Sequence, residues 1–285
     1  MGQATTGRRY RGGALALIDV TEDSPLRSVG IALDILEEFF TAPELGVSEL
    51  ARRTGVAKST AHRACGVLSE RGLLERTIDG RYRLGVRLYE YGHLVTTRSA
   101  LRSKALPLLT ELRNMVGETI QLGVPAGGDV LYVERVEGLH ALRFTTELHR
   151  RSPVHRSSAG KALAAFLPAV AAARVKAGLK PFTGYTIVVP RLFLGELEKV
   201  RGRGYAVSVD EGEMGLSSIG VPVRSEPGGP VIAAISMAGP TLRVIGIHEA
   251  HHAKLLMQAA ERLTLALRAG QISLPAARPA RTTKP

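Results

Sequence analysis

The chain has 285 residues, of which 45% are hydrophobic, so it is long enough for about two domains with apolar cores. Its formal net charge of +12 favours an anionic partner, and DNA phosphate, an anionic lipid or an acidic small molecule would each satisfy it. The lack of tryptophan and the 5% aromatic content argue against a stacking surface for single-stranded nucleic acid, and the single cysteine excludes an internal disulfide.

The first 24 residues are rich in glycine and arginine and lack helical periodicity, which predicts a disordered basic arm. Their apolar run, residues 14–20, is interrupted by Asp19 and is too short to span a membrane. We therefore expect a cytoplasmic protein that has no membrane partner. A supporting helix follows, because apolar residues recur with a 3.6-residue period at Val29, Ala32, Leu33, Leu36 and Phe40.

Residues 47–72 predict two short helices that meet at a tight turn. Ala51 lies four residues before Gly55, the spacing of a helix-turn-helix, because a small residue lets the helices touch and a glycine turns the chain. After the turn, one apolar stripe is formed by Ala61, Ala64, Cys65 and Leu68. Another face carries Lys58, Ser59, His62 and Arg63. Such a basic and hydroxylated face suits the major groove of DNA, while Cys65 is expected to be a buried, unreactive side chain.

A basic hairpin is predicted directly after the second helix, which ends at Gly72. Residues 73–76 and 81–84 flank Asp79-Gly80, a pattern typical of a hairpin with its turn on Asp-Gly. Arg81 and Arg83 alternate outward and would reach phosphate or the minor groove, although an ordinary solvated hairpin has the same pattern. Residues 47–87 hold nine Lys/Arg and four Asp/Glu, so the basic excess coincides with this region. The residues predicted to contact DNA are Arg52, Arg53, Lys58, Ser59, Thr60, His62, Arg63, Arg81 and Arg83.

The remainder of the chain predicts a linker helix and a larger domain that mixes strands and helices. Residues 86–101 have helical periodicity without proline, and a further helix ends near Gly117. Two strands surround Gly127-Gly128, and three more are predicted in GYAVSV, IGVPV and PVIAAISMAG. Helical patterns occupy residues 159–167, 192–203 and 250–267, which indicates an α+β sheet domain. The basic, proline-rich residues 275–285 predict a disordered tail.

Two segments of this larger domain have the composition of a ligand site. In PVHRSSAGKALAAFL, the small residues Ser158, Ala159 and Gly160 would expose backbone N–H groups at a helix N-terminus, which attracts a carboxylate or another anion. A polar loop between two apolar strands, typical of a pocket rim, contains Asp210, Glu211, Ser217 and Ser218. Each segment has a structural alternative, because small residues also permit close packing and polar loops are common on surfaces.

The enzyme signatures in the chain are incomplete. His248, Glu249 and His252 match the zinc-binding HExxH pattern, but the match is short and no third ligand follows at short range. Gly160-Lys161 lacks the earlier glycine of a phosphate-binding P-loop, and Ala162 replaces its metal-binding Ser/Thr. We expect no enzymatic activity, no metal and no cofactor, and keep zinc-dependent hydrolysis through the histidines as an alternative.

Several segments, taken in order, resemble the IclR family of bacterial transcriptional regulators. They are SELARRTGVAKSTAHR, DGRYRLG, GETIQLGV, PVHRSSAGKALA, the RGYAV to GVPV segment and AAISMAGP. The likeness as a whole extends from about residue 28 to about residue 274. The resemblance implies a winged helix-turn-helix domain joined by a helix to an effector domain with a GAF-like α+β fold. It also implies dimers that pair mainly through the DNA-binding half, and often tetramers. By the same resemblance, a small effector would bind at Ser158, Ala159, Gly160, Asp210 and Ser218.

These inferences predict five regions: a disordered basic arm (1–24), a winged helix-turn-helix domain (25–85), a linker helix (86–101), an effector-binding domain (102–274) and a disordered tail (275–285). The leading hypothesis is a ligand-responsive transcriptional regulator, expected to be a repressor, that binds a pseudo-palindromic DNA operator as a homodimer or homotetramer. Its effector would be an organic acid or an aromatic compound. An architectural DNA-binding protein without ligand control is a further alternative.

Overall fold

The computed structural model describes residues 27–97, 100–140 and 151–271. Within these ranges the chain forms two compact units, which divide between Ser99 and Ala100. The predicted disordered arm (1–24) and tail (275–285) lie outside the described residues.

The first unit consists of three helices, a small hairpin and a further helix. Its elements are α1 (Arg27–Glu38), α2 (Val47–Thr54), α3 (Lys58–Glu70), β1 (Leu74–Arg76), β2 (Tyr82–Leu84) and α4 (Val86–Thr97). The two strands pair antiparallel, and Leu45 forms an additional bridge to Tyr82. The N–H of Gly80 donates to the carbonyl of Thr77 at 3.0 Å, so the turn of the hairpin contains Asp79-Gly80. This arrangement is the winged helix-turn-helix that the sequence predicts.

The turn between α2 and α3 depends on Gly55. This residue ends α2 in the left-handed conformation (φ 63°), which glycine adopts without the steric cost of a Cβ atom. Ala51 lies buried before the turn, and Ala61, Cys65 and Leu68 are buried after it. The predicted apolar stripe of α3 therefore faces the core of this unit.

The predicted apolar face of α1 is confirmed only in part, because Ala32 and Leu36 pack against the core but the other predicted residues do not. Of the residues assigned to it, Leu33 is 55% exposed and Phe40 is 84% exposed. The core of the unit instead receives Ile35 and Phe39, which are buried. Both sets of residues have the spacing of one helix face, and only packing against the other helices determines which set is buried.

The second unit is built on one six-stranded antiparallel sheet. Its strands are β3 (Thr119–Ala126), β4 (Asp129–Val136), β5 (Arg151–Pro153), β6 (Ala206–Val209), β7 (Leu216–Arg224) and β8 (Val231–Pro240), in the spatial order β5-β4-β3-β8-β7-β6. Its helices are α5 (Ala100–Val116), α6 (Ser158–Phe166), α7 (Pro168–Ala177), α8 (Pro190–Arg203), α9 (Thr241–Val244) and α10 (Glu249–Gln271). The predicted strands and helices of this domain are confirmed, whereas β5, α7 and α9 are additional to the prediction.

Helices cover both faces of this sheet, which confirms the predicted α+β class. One face packs against α5 and α10 through buried residues such as Leu109 and Leu256. The other face packs against α6, with Leu163 and Phe193 in its core. Apolar side chains that alternate along the strands supply both cores. No single helix in the described ranges is long and apolar enough to span a membrane, although α6 and α7 together reach that length and composition across a 119° bend.

Candidate functional site

The solvent-facing surface of α3 carries the predicted recognition residues. Ala57 precedes the helix as its N-cap and forms no side-chain cap hydrogen bond, so the first N–H groups of α3 remain available to an anion such as phosphate. Exposed side chains on the first turns are Lys58, Ser59, His62 and Arg63, and Thr60 is half-buried. The helix thus presents backbone donors at its N-terminus and cationic side chains on the face opposite its buried stripe.

The predicted DNA-binding cations of the two helices differ in their partners. Arg52, Lys58 and Arg63 are exposed, and none of them forms an ion pair with another described residue. Arg53 Nη2 lies 2.6 Å from Glu49 Oε1, and this hydrogen bond raises the pKa of the guanidinium. Three cations are therefore available to an external anion, whereas Arg53 is held within the domain.

Both predicted wing arginines have internal partners. Arg83 Nε and Nη2 donate to the two carboxylate oxygens of Glu75 at 3.1 and 3.0 Å. This bidentate hydrogen bonding lowers the pKa of Glu75 and raises that of Arg83. Arg81 Nη2 donates to the carbonyl of Glu44 at 2.9 Å and lies 3.7 Å from Glu49 Oε2. A DNA phosphate would have to compete with these carboxylates for the wing.

In the second unit, the N-terminus of α6 is buried against the sheet. The side chain of Ser157 caps the helix by accepting from the N–H of Gly160 at 3.2 Å. The N–H of Ser158 donates to Ser218 Oγ in a long hydrogen bond of 3.4 Å. Ser158 Oγ is buried and has no hydrogen-bond partner among the described residues. An unsatisfied buried hydroxyl costs about 1–3 kcal/mol, so a ligand atom that bonds it would gain this free energy.

The sheet beneath α6 adds polar residues that the sequence analysis did not select. In the sheet register, Ser236 pairs with Gly220 on one side and with Gln121 on the other. Paired residues of antiparallel strands project from the same face, and Gly220 lies directly under the backbone of Ser158. The buried side chains of Ser236 and Gln121 therefore belong to the face that α6 covers. Polar residues inside the apolar segments AAISMAG and TIQLG were the available sequence signal.

The carboxylate of Asp210, a predicted effector residue, is directed elsewhere. Its Oδ1 accepts from Thr241 Oγ1 at 2.5 Å, and Thr241 Oγ1 lies 2.9 Å from Ser217 Oγ. Ser217 and Ser218 are neighbours on β7, so their side chains project from opposite faces of the sheet. The structure brings Ser158 and Ser218 together and ties Asp210 to the opposite face.

A buried ion pair lies next to both segments. Lys161 Nζ is 2.6 Å from Glu211 Oε1, with 1% and 10% of the two side chains exposed. Burial raises the pKa of Glu211, against the lowering effect of the nearby ammonium group. Sequence reasoning missed this pair, because the partners are separated by fifty positions and Lys161 was compared only with P-loop lysines.

Comparison with known proteins assigns both units to one family. Residues 28–77 match the IclR helix-turn-helix domain, and residues 93–265 match the bacterial transcriptional regulator IclR C-terminal domain. The chain belongs to the IclR family of transcriptional regulators.

Individual IclR-family relatives are similar over most of their length. The transcriptional regulator XynR of Escherichia coli is 34% identical over 246 residues, which cover 85% of this chain and 97% of XynR. The transcriptional repressor IclR of Escherichia coli is 27% identical over 78% of this chain and 82% of its own length. A crystal structure of an IclR homologue from Microbacterium hydrocarbonoxydans, complexed with 4-hydroxybenzoate, is 32% identical with a TM-score of 0.72, covering 85% of this chain and 99% of that one.

Membership in the IclR family also decides against the alternative of a zinc-dependent hydrolase, because the similar proteins are named as transcriptional regulators. This regulator is therefore not an enzyme. His248 lies in a 3-10 turn, and α10 begins at Glu249, whose carboxylate accepts from the hydroxyl of Tyr205 at 3.1 Å. The rings of His248 and His252 stack with their centres 5.7 Å apart. Within the described residues, no group of three potential ligand side chains is arranged to hold a metal ion.

Proposed function

We propose that this regulator binds a pseudo-palindromic operator as a homodimer, with one α3 in the major groove of each half-site. The observation that carries the proposal is the exposed face of α3, on which Lys58 and Arg63 stand beside an N-terminus without a side-chain cap. The C₂ symmetry of a dimer matches the symmetry of such an operator, because each subunit then presents the same surface to one half-site.

Within this proposal, the predicted contact residues divide into two roles. Ser59, His62 and Arg63 would approach base edges, since they lie on the first turns of the helix that enters the groove. Arg52 and the wing arginines would position the duplex through phosphate, together with Lys58, Thr60 and Arg53. Phosphate contacts set affinity and its salt dependence, whereas base contacts set sequence preference.

We further propose that the second unit, residues 102–274, binds a small organic acid or aromatic compound at the N-terminus of α6. The buried and unpartnered Ser158 Oγ supports this site, as does its place at the helix N-terminus, where the N–H of Ser158 bonds Ser218. The N–H of Gly160 is already bonded to Ser157 Oγ, so Gly160 would contribute by its small size. The related Microbacterium structure contains 4-hydroxybenzoate, which is both an acid and an aromatic ring. Asp210 would act by shaping the loop, since its carboxylate is bonded to Thr241.

Effector binding would regulate operator affinity only if the effector binds one arrangement of the dimer better than another. A coupling free energy of about 1–3 kcal/mol, corresponding to roughly 5- to 150-fold in affinity, gives clear regulation. We propose repression as the regulatory outcome, and a dimer or tetramer as the active assembly.

Fluorescence anisotropy with the protein's own promoter duplex and a scrambled duplex tests the DNA-binding proposal. We expect tighter binding to the promoter, and we expect R63A to lose about 1–3 kcal/mol on the promoter but little on scrambled DNA. R268A removes the same charge from an exposed position on α10 and serves as the matched control. Equal losses on both duplexes would assign Arg63 to phosphate. No preference for the promoter under any condition would support the architectural alternative.

A thermal-shift screen with 4-hydroxybenzoate, benzoate and pyruvate tests the effector proposal. A compound that binds only the folded protein raises the melting temperature, and the shift should be smaller in S158A. The same compound should alter operator affinity in the anisotropy assay. Binding that is equal in S158A and in the wild-type protein would place the effector elsewhere.

A further inference from the structure

The two chain segments of the proposed effector site are joined by a buried ion pair. Lys161 follows Gly160 directly, and Glu211 follows Asp210 directly. The 2.6 Å contact between Lys161 Nζ and Glu211 Oε1 connects the first turn of α6 to the loop that precedes β7. It therefore lies where both segments carry residues proposed for the effector.

A contribution to folding stability does not by itself explain why a lysine and a glutamate are buried here. Taking both charges out of water costs free energy that their attraction does not reliably return, and apolar side chains of similar size often stabilise a core equally well. The ion pair instead fixes the relative position of the two segments, because a charge-assisted hydrogen bond holds its two groups at one separation and direction.

The backbone next to Glu211 is held in an uncommon conformation. Asp210 has φ 55° and is the one non-glycine residue with positive φ among those described. Such a conformation persists where its surroundings fix it. The hydroxyls of Thr183 and Thr186 donate to the carbonyls of Asp210 and Glu211, each at 2.6 Å. The loop before α8 and the side chain of Lys161 thus fix the same short segment from two directions.

We propose that Lys161 and Glu211 are positioning residues of the effector site, whose ion pair sets the separation between the N-terminus of α6 and residues 210–218. The inference rests on the effector site proposed above. Neither side chain contacts the effector. Both act through the backbone that each one anchors, so their loss changes effector affinity and leaves the DNA-binding surface unaltered.

The test uses the full-length double variant K161M/E211M, which replaces the pair with two apolar side chains and leaves no unpaired buried charge. Urea unfolding first establishes that its stability is close to that of the wild-type protein. Hydrogen exchange is then measured on peptides that cover residues 157–161 and 208–218. We expect protection of these segments to fall about 10-fold or more while the core strand β8 keeps its protection. Unchanged protection at matched stability would overturn the proposal.

The ligand arm uses the compound from the thermal-shift screen, with 4-hydroxybenzoate measured in every case. We expect its Kd to rise about 10-fold in K161M/E211M, with promoter affinity in the absence of ligand unchanged. An unchanged Kd would also overturn the proposal. If no compound binds the wild-type protein, the proposed ligand control fails, and hydrogen exchange still decides the positioning role.

Single variants and a second ion pair provide the controls. K161M and E211Q each break the pair, and either one that folds should resemble the double variant in local exchange. R174M/D129N removes another partly buried ion pair, which joins α7 to β4 at 2.8 Å. This control should leave exchange in residues 208–218 as in the wild-type protein. If it loosens that segment equally, the effect of Lys161 and Glu211 is general destabilisation, and the proposal is wrong.

Discussion

Gly220 on β7 lies against the backbone of Ser158, at the start of α6. A Cβ atom at position 220 would come within 2.6 Å of the Ser158 carbonyl carbon and 2.7 Å of the Ala159 nitrogen. Real Cβ atoms do not approach backbone this closely, so G220A must displace the helix from the sheet. We expect a loss of about 1–3 kcal/mol in unfolding free energy, measured by urea denaturation. Effector binding should weaken as well, because the displaced turn is the proposed site.

The matched control for this prediction is G195A. Gly195 lies within α8, and a Cβ atom there meets nothing within 4 Å. Alanine has a higher helix propensity than glycine, so this variant should gain up to about 1 kcal/mol. If G220A were as stable as the wild-type protein and bound ligand normally, the close approach of β7 to α6 would be wrong.

The contact between Gly220 and Ser158 is a tertiary contact, and such contacts could not be predicted from the sequence alone. The turn at Gly55 and the hairpin at Asp79-Gly80 were predictable, because each depends on residues close in the chain whose conformations glycine favours. The buried face of α1 was predictable only in part, since Leu33 and Ile35 belong to competing apolar stripes that tertiary packing alone distinguishes. Three-residue β5 carries too short a pattern, and its pairing with β4 is a tertiary contact.

The candidate effector site likewise contains residues that the sequence predicts and residues that it does not. Ser158, Ala159 and Gly160 could be selected because small residues that begin a helix have a local signature. The Lys161 and Glu211 pair could not, because only the fold brings the loop before β7 to α6. Asp210 shows the converse: its place in a polar loop was predictable, but its rotation toward Thr241 depends on the left-handed backbone at that position.

Cys65 should be unreactive in the folded protein. It is buried in the core of the first unit, and burial raises the pKa of its thiol to about 11. At pH 8 roughly one thiol in a thousand is then ionised, and the thiolate is the reactive form.

Titration with a disulfide reagent at pH 8 should detect no thiol in the native protein and one per chain in urea. S59C, which places a second cysteine on the exposed face of α3, should react in the native state. Rapid native labelling of the wild-type protein would show that this core opens easily.

His155 should make the second unit less stable as the pH falls. Burial lowers its pKa below the ordinary 6.5, and Nε2 donates to the carbonyl of Lys180 at 2.9 Å. The unfolded chain therefore binds a proton at a higher pH than the folded one does. The contribution of neutral His155 to the free energy of unfolding is fully present above pH 6.5. It is lost as the pH drops from 6.5 toward the folded pKa, by up to about 1.4 kcal/mol per pH unit.

Urea unfolding between pH 8 and pH 5 measures how steeply the free energy of unfolding depends on pH. H155Q keeps a donor for the Lys180 carbonyl and should have a shallower slope; His252, whose pKa burial also lowers, would account for the remainder. Identical slopes in H155Q and wild type would exclude His155 as the source.

The wing should bind DNA more strongly once Arg83 is released from Glu75. The bidentate contact between them is exposed, and exposed ion pairs contribute about 0–1 kcal/mol, so a phosphate can replace the carboxylate at little cost. E75Q removes the competing charge and should tighten promoter binding about 2- to 10-fold at low salt, with the effect decreasing as salt rises.

The second variant, R83A, should weaken binding to promoter and scrambled duplex alike. It should also reduce the slope of log K against log salt by about 1, the value for one lost phosphate contact. R268A again controls for net charge. If R83A left the salt slope unchanged while E75Q still tightened binding, Glu75 would act by repelling DNA, and Arg83 would serve only to neutralise it.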